Sequence, residues 1–254
     1  MPFTLSHAVI AVPIARLSKQ RLPLAGLVVG SMTPDLYRLI SDEEGNLAHY
    51  WSSQLYPNLI LALLFCLLWY GIYRPILYPS LNLSDPLPLQ NAKSYLKFAI
   101  ALIMAILIGN ATHLIWDGFT HVDFRTPFGA EFLSQSIDFF EYHAPLHFVL
   151  QIASSVLVLP ILVWMLLDYR QRHHQAQYVS RCDQTLIATI FTLSLLVGAS
   201  YCHYYLHHIA PWLWQASLYH LLGHSFNAFS QVFLAVSAWG CLMLRIYWQL
   251  RNFD

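Results

Sequence analysis

The chain has 254 residues, 57% of them hydrophobic and only 10% charged, and its Lys and Arg balance its Asp and Glu to a net charge of zero. A soluble globular chain carries roughly 25% charged residues, so this composition excludes a water-facing fold. Zero net charge also leaves a nucleic-acid partner without electrostatic support.

The opening MPFTLSHAVIAVPIARLSKQR has no basic stretch ahead of its apolar run and no small-residue cleavage site after it, so no removable signal peptide is expected. Residues 5–16 predict a helix too short to cross a membrane unaided, a half-span or re-entrant piece. Residues 22–40 (LPLAGLVVGSMTPDLYRLI) are apolar except at their far end and predict a membrane helix. No Lys, Arg, Asp or Glu occurs from Gly45 to Tyr73, from Phe98 to Trp116, from Tyr142 to Leu167 or from Gln184 to Leu244. A span needs about 20 apolar residues, so helices are expected near 57–74, 97–117, 146–168, 185–206 and 226–248. The Pro-rich stretch 79–95 reads as a loop and not as a domain boundary. Between the last two helices, Trp212, Trp214 and Tyr219 suit an interfacial aromatic belt. Cys66, Cys182, Cys202 and Cys241 lack metal or redox spacing, and no disulfide is expected. The fold class is therefore all-α: a polytopic integral membrane helix bundle of six to seven membrane segments, one membrane domain over 1–254.

Charge sorting gives the orientation. With seven segments, the loops at 16–21, 74–97 and 169–183 and the C-terminal tail share one side. That side holds Arg16, Lys19, Arg21, Arg74, Lys93, Lys97, Arg170, Arg172, Arg181, Arg245 and Arg251, and the other holds only Arg38 and Arg125. The basic side is the cytoplasmic one, which puts the N-terminus outside and the C-terminus inside. The outer face is acidic and collects eleven of the thirteen histidines, all but His173 and His174.

Several of these histidines stand at metal-ligand spacing. In THLIWDGFTH, His113, Asp117 and His121 recur every four residues, which keeps them near one face of a helix. Imidazole and carboxylate suit zinc or a similar divalent ion, and an Asp in a span is costly unless paired or metal-bound. The plainer alternative is that Asp117 pairs with a neighbouring histidine and pins two helices. His143 and His147 open the next span, and Asp35 follows Pro34 in SMTPDLYR, fourteen residues before His49. His203, His207, His208, His220 and His224 read as an interfacial rim outside the metal ligands.

The opening MPFTLSH, the later GSMTPD, GNATHLIWDGFTH and QIASSVL resemble an uncharacterised bacterial inner-membrane family grouped beside proteins named membrane-bound metal-dependent hydrolases. The resemblance covers about residues 1–160; 161–254 reads as additional spans. A more distant likeness is to the zinc-dependent phospholipase C group. It implies that Asp35, His49, His113 and Asp117 hold a first metal, that His121, His143 and His147 hold a second, and that His7 with bridging Asp117 helps hold a third. Two departures stand out: Met1 lies well before His7, and His147 stands where that group has Glu.

Such a site implies hydrolysis of a phosphoester, with divalent ions lowering the pKa of bound water and Asp35 as a ligand, the catalytic base, or both. The expected substrate is a membrane lipid or lipid-linked molecule, met at the outer face of a bacterial inner membrane. Residues 122–142 are a candidate lid, and Arg125 within them is either a substrate phosphate contact or simply solvated. Two competing readings remain: a non-enzymatic transporter or metal-handling protein, whose ion pathway uses the same residue types, and a haem protein with axial ligands among His203–His224.

Overall fold

The computed structural model describes residues 4–41, 47–87, 89–139, 142–176 and 179–251. Seven helical stretches occupy the predicted places: α1 (Thr4–Leu17), α2 (Leu24–Leu36), α3 (Trp51–Ser80), α4 (Ala92–Thr120), α5 (Leu146–His173), α6 (Arg181–Ile209) and α7 (Leu218–Arg251). Helices α3 to α7 are each long and apolar enough to cross a membrane, and the protein is a multi-pass membrane protein on that basis.

The segment expected at 22–40 is shorter than that. Helix α2 starts after Pro23 and has 13 residues, about 20 Å at 1.5 Å per residue, against a hydrocarbon core of about 30 Å. It tightens into a 3₁₀ turn at Tyr37–Leu39, where the N–H groups of Ile40 and Ser41 both turn back to the Tyr37 carbonyl. Helix α4 begins on a capping box: the Ser94 N–H donates to Asn91 Oδ1 at 3.0 Å, and the Asn91 N–H donates to Ser94 Oγ at 2.9 Å. One departure from an all-helical chain is an antiparallel hairpin, β1 (Ser136–Phe139) with β2 (Tyr142–Pro145), in which Asp138 faces His143.

The chain divides into two compact units, Met1–Cys66 with Leu87–Tyr169, and Leu67–Pro86 with Arg170–Asp254. In the first, Ala11, Ala15, Leu27 and Ala105 form a buried core between α1, α2 and α4. Helices α2 and α4 approach so closely that side chains do not fit between them. A Cβ on Gly30 would overlap the Ile106 carbonyl oxygen and lie 2.8 Å from Ile106 Cα; one on Gly109 would overlap the Leu27 carbonyl oxygen and lie 2.8 Å from the Ser31 nitrogen. Gly26 and Gly30, four residues apart, thus make the small-residue face that lets membrane helices touch backbone to backbone. Arg16 at the end of α1 donates to Asp168 of α5 at 2.7 Å.

In the second unit Ile76, Ile187, Cys241 and Leu244 are buried together. The Tyr73 hydroxyl donates to the Leu234 carbonyl at 2.9 Å. Asp183 accepts from the Trp248 indole at 2.8 Å and from Arg251 at 3.1 Å, closing the ends of α6 and α7. All four cysteines are free thiols.

Candidate metal centre

Five side chains from four elements converge inside the first unit. His7 comes from the first turn of α1, Asp35 from the end of α2, His49 from a 3₁₀ turn (Leu47–His49), and His113 and Asp117 from one face of α4. All five are buried, at 0–7% exposure. His49 Nε2 stands 3.5 Å from Asp35 Oδ1 and 3.5 Å from Asp117 Oδ2. His113 Nε2 stands 3.6 Å from Asp117 Oδ2, and His7 Nε2 stands 3.9 Å from Asp117 Oδ1. The His7 and His113 rings stack with centroids 3.8 Å apart.

Each residue is held from behind. His113 Nδ1 donates to the Ser31 carbonyl at 2.7 Å, a bond that the tight α2–α4 crossing allows. With Nδ1 so engaged, it is Nε2 that faces the Asp117 carboxylate, the usual arrangement for a ligating imidazole. The turn bearing His49 is pinned by Ser53 Oγ, which donates to the Leu47 carbonyl at 2.6 Å, and by Asn58 Nδ2, which donates to the Ala48 carbonyl at 2.7 Å. Asn58 also donates to Asn110 Oδ1 at 3.3 Å, and Asn110 Nδ2 donates to Gln54 Oε1 at 2.9 Å. Ser6 Oγ donates to the Ser155 carbonyl of α5 at 3.2 Å, fixing the turn that carries His7.

The cluster sets three imidazoles against two carboxylates. Among the described residues, Asp35 Oδ2 and His113 Nε2 are buried without a hydrogen-bond partner. Such orphans are costly. Two sets, His7–Asp35–His113 and His49–His113–Asp117, place one ligand atom per residue within 4.8 Å of one another. Ligands with 2.0–2.2 Å bonds to one tetrahedral ion stand about 3.4 Å apart, which matches the 3.5–3.6 Å separations. The donor set therefore fits a divalent cation.

The family model described as Domain of unknown function (DUF4184) matches residues 1–247. The chain belongs to this family. No curated protein and no solved structure matches it. The DUF4184 match extends well past residue 160, where the sequence motifs stop, and it brings no kinship with hydrolases or phospholipases C.

Other predicted site residues of this DUF4184 chain are placed differently. His121, at the end of α4, has Nδ1 3.8 Å from Asp117 Oδ1, while its Nε2 accepts from the Gln151 amide of α5 at 3.0 Å. Burial outweighs the attraction of Asp117 and, with Arg125 nearby, pushes the His121 imidazole down to about 4, so it is neutral at neutral pH. Arg125 donates from Nη1 to Asp117 Oδ2 at 3.2 Å and from Nε to both oxygens of Asp123, at 2.9 and 3.1 Å. Against the cost of partial burial, Arg125 holds the Asp123 carboxyl below its ordinary range. Phe124 stacks on Tyr50 at 4.4 Å, Thr126 donates to the His121 carbonyl, and Pro127 runs against Gly118. The first part of the expected lid is thus folded down over the end of α4.

His143 and His147 are not brought into the cluster. His143 is exposed on β2, where its Nδ1 pairs with Asp138 Oδ1 at 2.6 Å. His147 Nδ1 donates to the Leu133 carbonyl at 3.1 Å. The four-residue spacing presupposed one helix, but the strand ends at Pro145 and α5 starts at Leu146. In the second unit, the His207 ring lies 5.6 Å from Trp214 and that of His224 5.7 Å from Trp212, and neither ligand set includes any histidine from 203–224. Asn58, Asn110, Gln151 and Ser31 went unread in the sequence. Asn110 carried a usable signal, a polar amide in an apolar span three residues before His113.

Proposed function

We propose that this chain is a membrane-embedded metal-dependent hydrolase, with a divalent ion, zinc by donor chemistry, held among His7, Asp35, His49, His113 and Asp117. The observation that carries the reading is the convergence of five buried side chains, three imidazoles and two carboxylates, in two overlapping sets of ligand atoms that each lie within 4.8 Å of one another. Nitrogen and carboxylate oxygen without thiolate suit zinc. A single ion is the simplest occupant; the second ion implied by the phospholipase likeness would need His143 and His147, which lie apart.

When bound, such an ion supplies a water that ionises near neutral pH. Asp117, braced by Arg125 and four histidines, is a ligand whose position is fixed. Asp35 uses Oδ1 toward His49 and keeps Oδ2 open, which suits it to take the proton of an attacking water. Gln151 holds His121 beside Asp117 as a neutral group.

The substrate class is a phosphoester in a lipid or lipid-linked molecule, because the site belongs to a chain of membrane helices and a soluble substrate gains nothing from such a host. The charge split of the loops supports seven membrane segments, with α1 and α2 as short ones, and a site at the outer face of the bacterial inner membrane. Reporter fusions after residues 85 and 176 are expected to read cytoplasm and one after residue 130 the outside; a reversed reading at 85 breaks this topology.

Asp35→Asn is expected to retain zinc and lose turnover by about 10²–10⁴-fold, the contribution of a positioned base. The check is phosphate release from a panel of phospholipids and lipid-linked phosphates by full-length protein in detergent. Equal rates in the two proteins contradict the mechanism. The near-complete burial of the five donors favours one second reading, an ion kept as structure or cargo, and full zinc occupancy without hydrolysis of any lipid is its signature.

A further inference from the structure

Two arginines, Arg38 and Arg125, lie on the side of the chain that carries the cluster by the loop-charge reading. Arg125 is engaged: its guanidinium bonds Asp117 and both oxygens of Asp123, and its side chain is 11% exposed. Arg38 is not. It sits in the 3₁₀ turn Tyr37–Leu39 that ends α2, half-buried. Its Nε is sealed from solvent without a hydrogen-bond partner, and among the described residues no acceptor or acid pairs with its guanidinium.

A sealed guanidinium N–H without an acceptor costs as much as any lost buried hydrogen bond, and an unpaired charge beside apolar spans costs more. Position gives it a target. Arg38 follows Asp35 by three residues across the end of α2, and on helical backbone residues three apart lie on the same face. Charge points the same way. Asp35 and Asp117 cancel a divalent ion and Asp123 cancels Arg125, which leaves Arg38 as the positive charge in excess among the described groups of the site. A planar fork of five donors matches a phosphate oxyanion.

We propose that Arg38, and not Arg125, is the side chain that binds the anionic group of the ligand at this site, and that this group is a phosphate. The proposal rests on the metal-centre reading for where the ligand sits, while Arg125 serves to latch the 121–127 loop onto Asp117. The shared chemistry is a phosphate oxyanion, whether from a lipid headgroup or from a free phosphate.

The test uses full-length protein in detergent, with and without added zinc, as wild type, Arg38→Gln and Arg38→Lys. One arm measures inorganic phosphate by equilibrium dialysis; the other titrates short-chain phosphatidic acid calorimetrically; zinc content is measured in parallel. Arg38→Gln is expected to weaken the probe that wild type binds by about tenfold or more, with zinc content unchanged, and Arg38→Lys to fall between, since a point charge keeps attraction and loses the fork. Tighter binding of phosphatidic acid assigns the headgroup as the source, and equal binding assigns free phosphate. Unchanged binding in Arg38→Gln, failure of wild type to bind either probe, or joint loss of zinc and phosphate in Arg38→Gln overturns the proposal. A wild type without zinc overturns the metal reading instead, and the comparison without zinc then decides Arg38 alone.

Discussion

Replacing Asp117 with alanine is expected to remove the metal and to destabilise the first unit together. Its carboxylate lies 3.2–3.9 Å from Arg125, His49, His113, His121 and His7 and is 3% exposed. Loss of a ligand should weaken metal binding by at least the roughly 10–100-fold typical of losing a supporting group. It also leaves Arg125 buried with half its partners, and breaking a buried pair from one side costs about 3–5 kcal/mol. Zinc content after dialysis against a chelator and thermal unfolding in detergent read the two effects separately. Asp117→Asn keeps the shape without the charge, so it should lose metal while unfolding nearer to wild type. Wild-type zinc retention in Asp117→Ala would remove Asp117 from the site.

The second large effect is expected at the α2–α4 crossing. Gly109→Val would push a branched side chain into the Leu27 carbonyl and the Ser31 nitrogen, neither of which can move without the helix that carries it. Overpacking costs typically about 1–3 kcal/mol and more where backbone must shift. Separation of the helices also opens the 2.7 Å bond from His113 to the Ser31 carbonyl, so zinc content should fall with stability. Gly71 is the control. Nothing lies within 4 Å of a Cβ built there, so Gly71→Ala is expected to be neutral or stabilising by up to about 1 kcal/mol. A Gly109→Val protein that melts like wild type and keeps its metal contradicts the close crossing.

The helices were legible because charge-free runs are the strongest signal a membrane chain carries: α3, α4 and α5 each cover most of one such run, and α6 and α7 divide the last between them. Two features were not legible. Helix α2 stops early because its last turn tightens to 3₁₀ around Tyr37, which hydropathy does not register. The pairing of β1 with β2, which begins inside the expected lid, was not legible because cross-strand pairing, here Asp138 with His143, is invisible to a search for helical period. The same strand explains the misplaced pair. His143 and His147 look like one turn of helix in sequence, yet Pro145 separates a strand residue from a helix residue.

Of the site, His113 and Asp117 could be read from spacing on one helix. His7, Asp35 and His49 come from distant segments, and their order in the sequence, not their spacing, drew attention to them. The supporting amides are harder still. Asn58 and Asn110 matter only because the fold lays the His49 turn against α4, and Arg38 stands out only once its missing partner is seen. The close α2–α4 approach, by contrast, was written in Gly26 and Gly30 and went unread.

The most direct measurement is the divalent metal content of the full chain, purified in detergent from zinc-supplemented cells and determined by elemental analysis beside His113→Ala. That variant deletes the imidazole shared by both ligand sets and leaves both carboxylates in place. One zinc per wild-type chain and less than a tenth of that in His113→Ala is the expected result. Wild-type protein free of divalent metal, or equal metal in both, would contradict the metal centre.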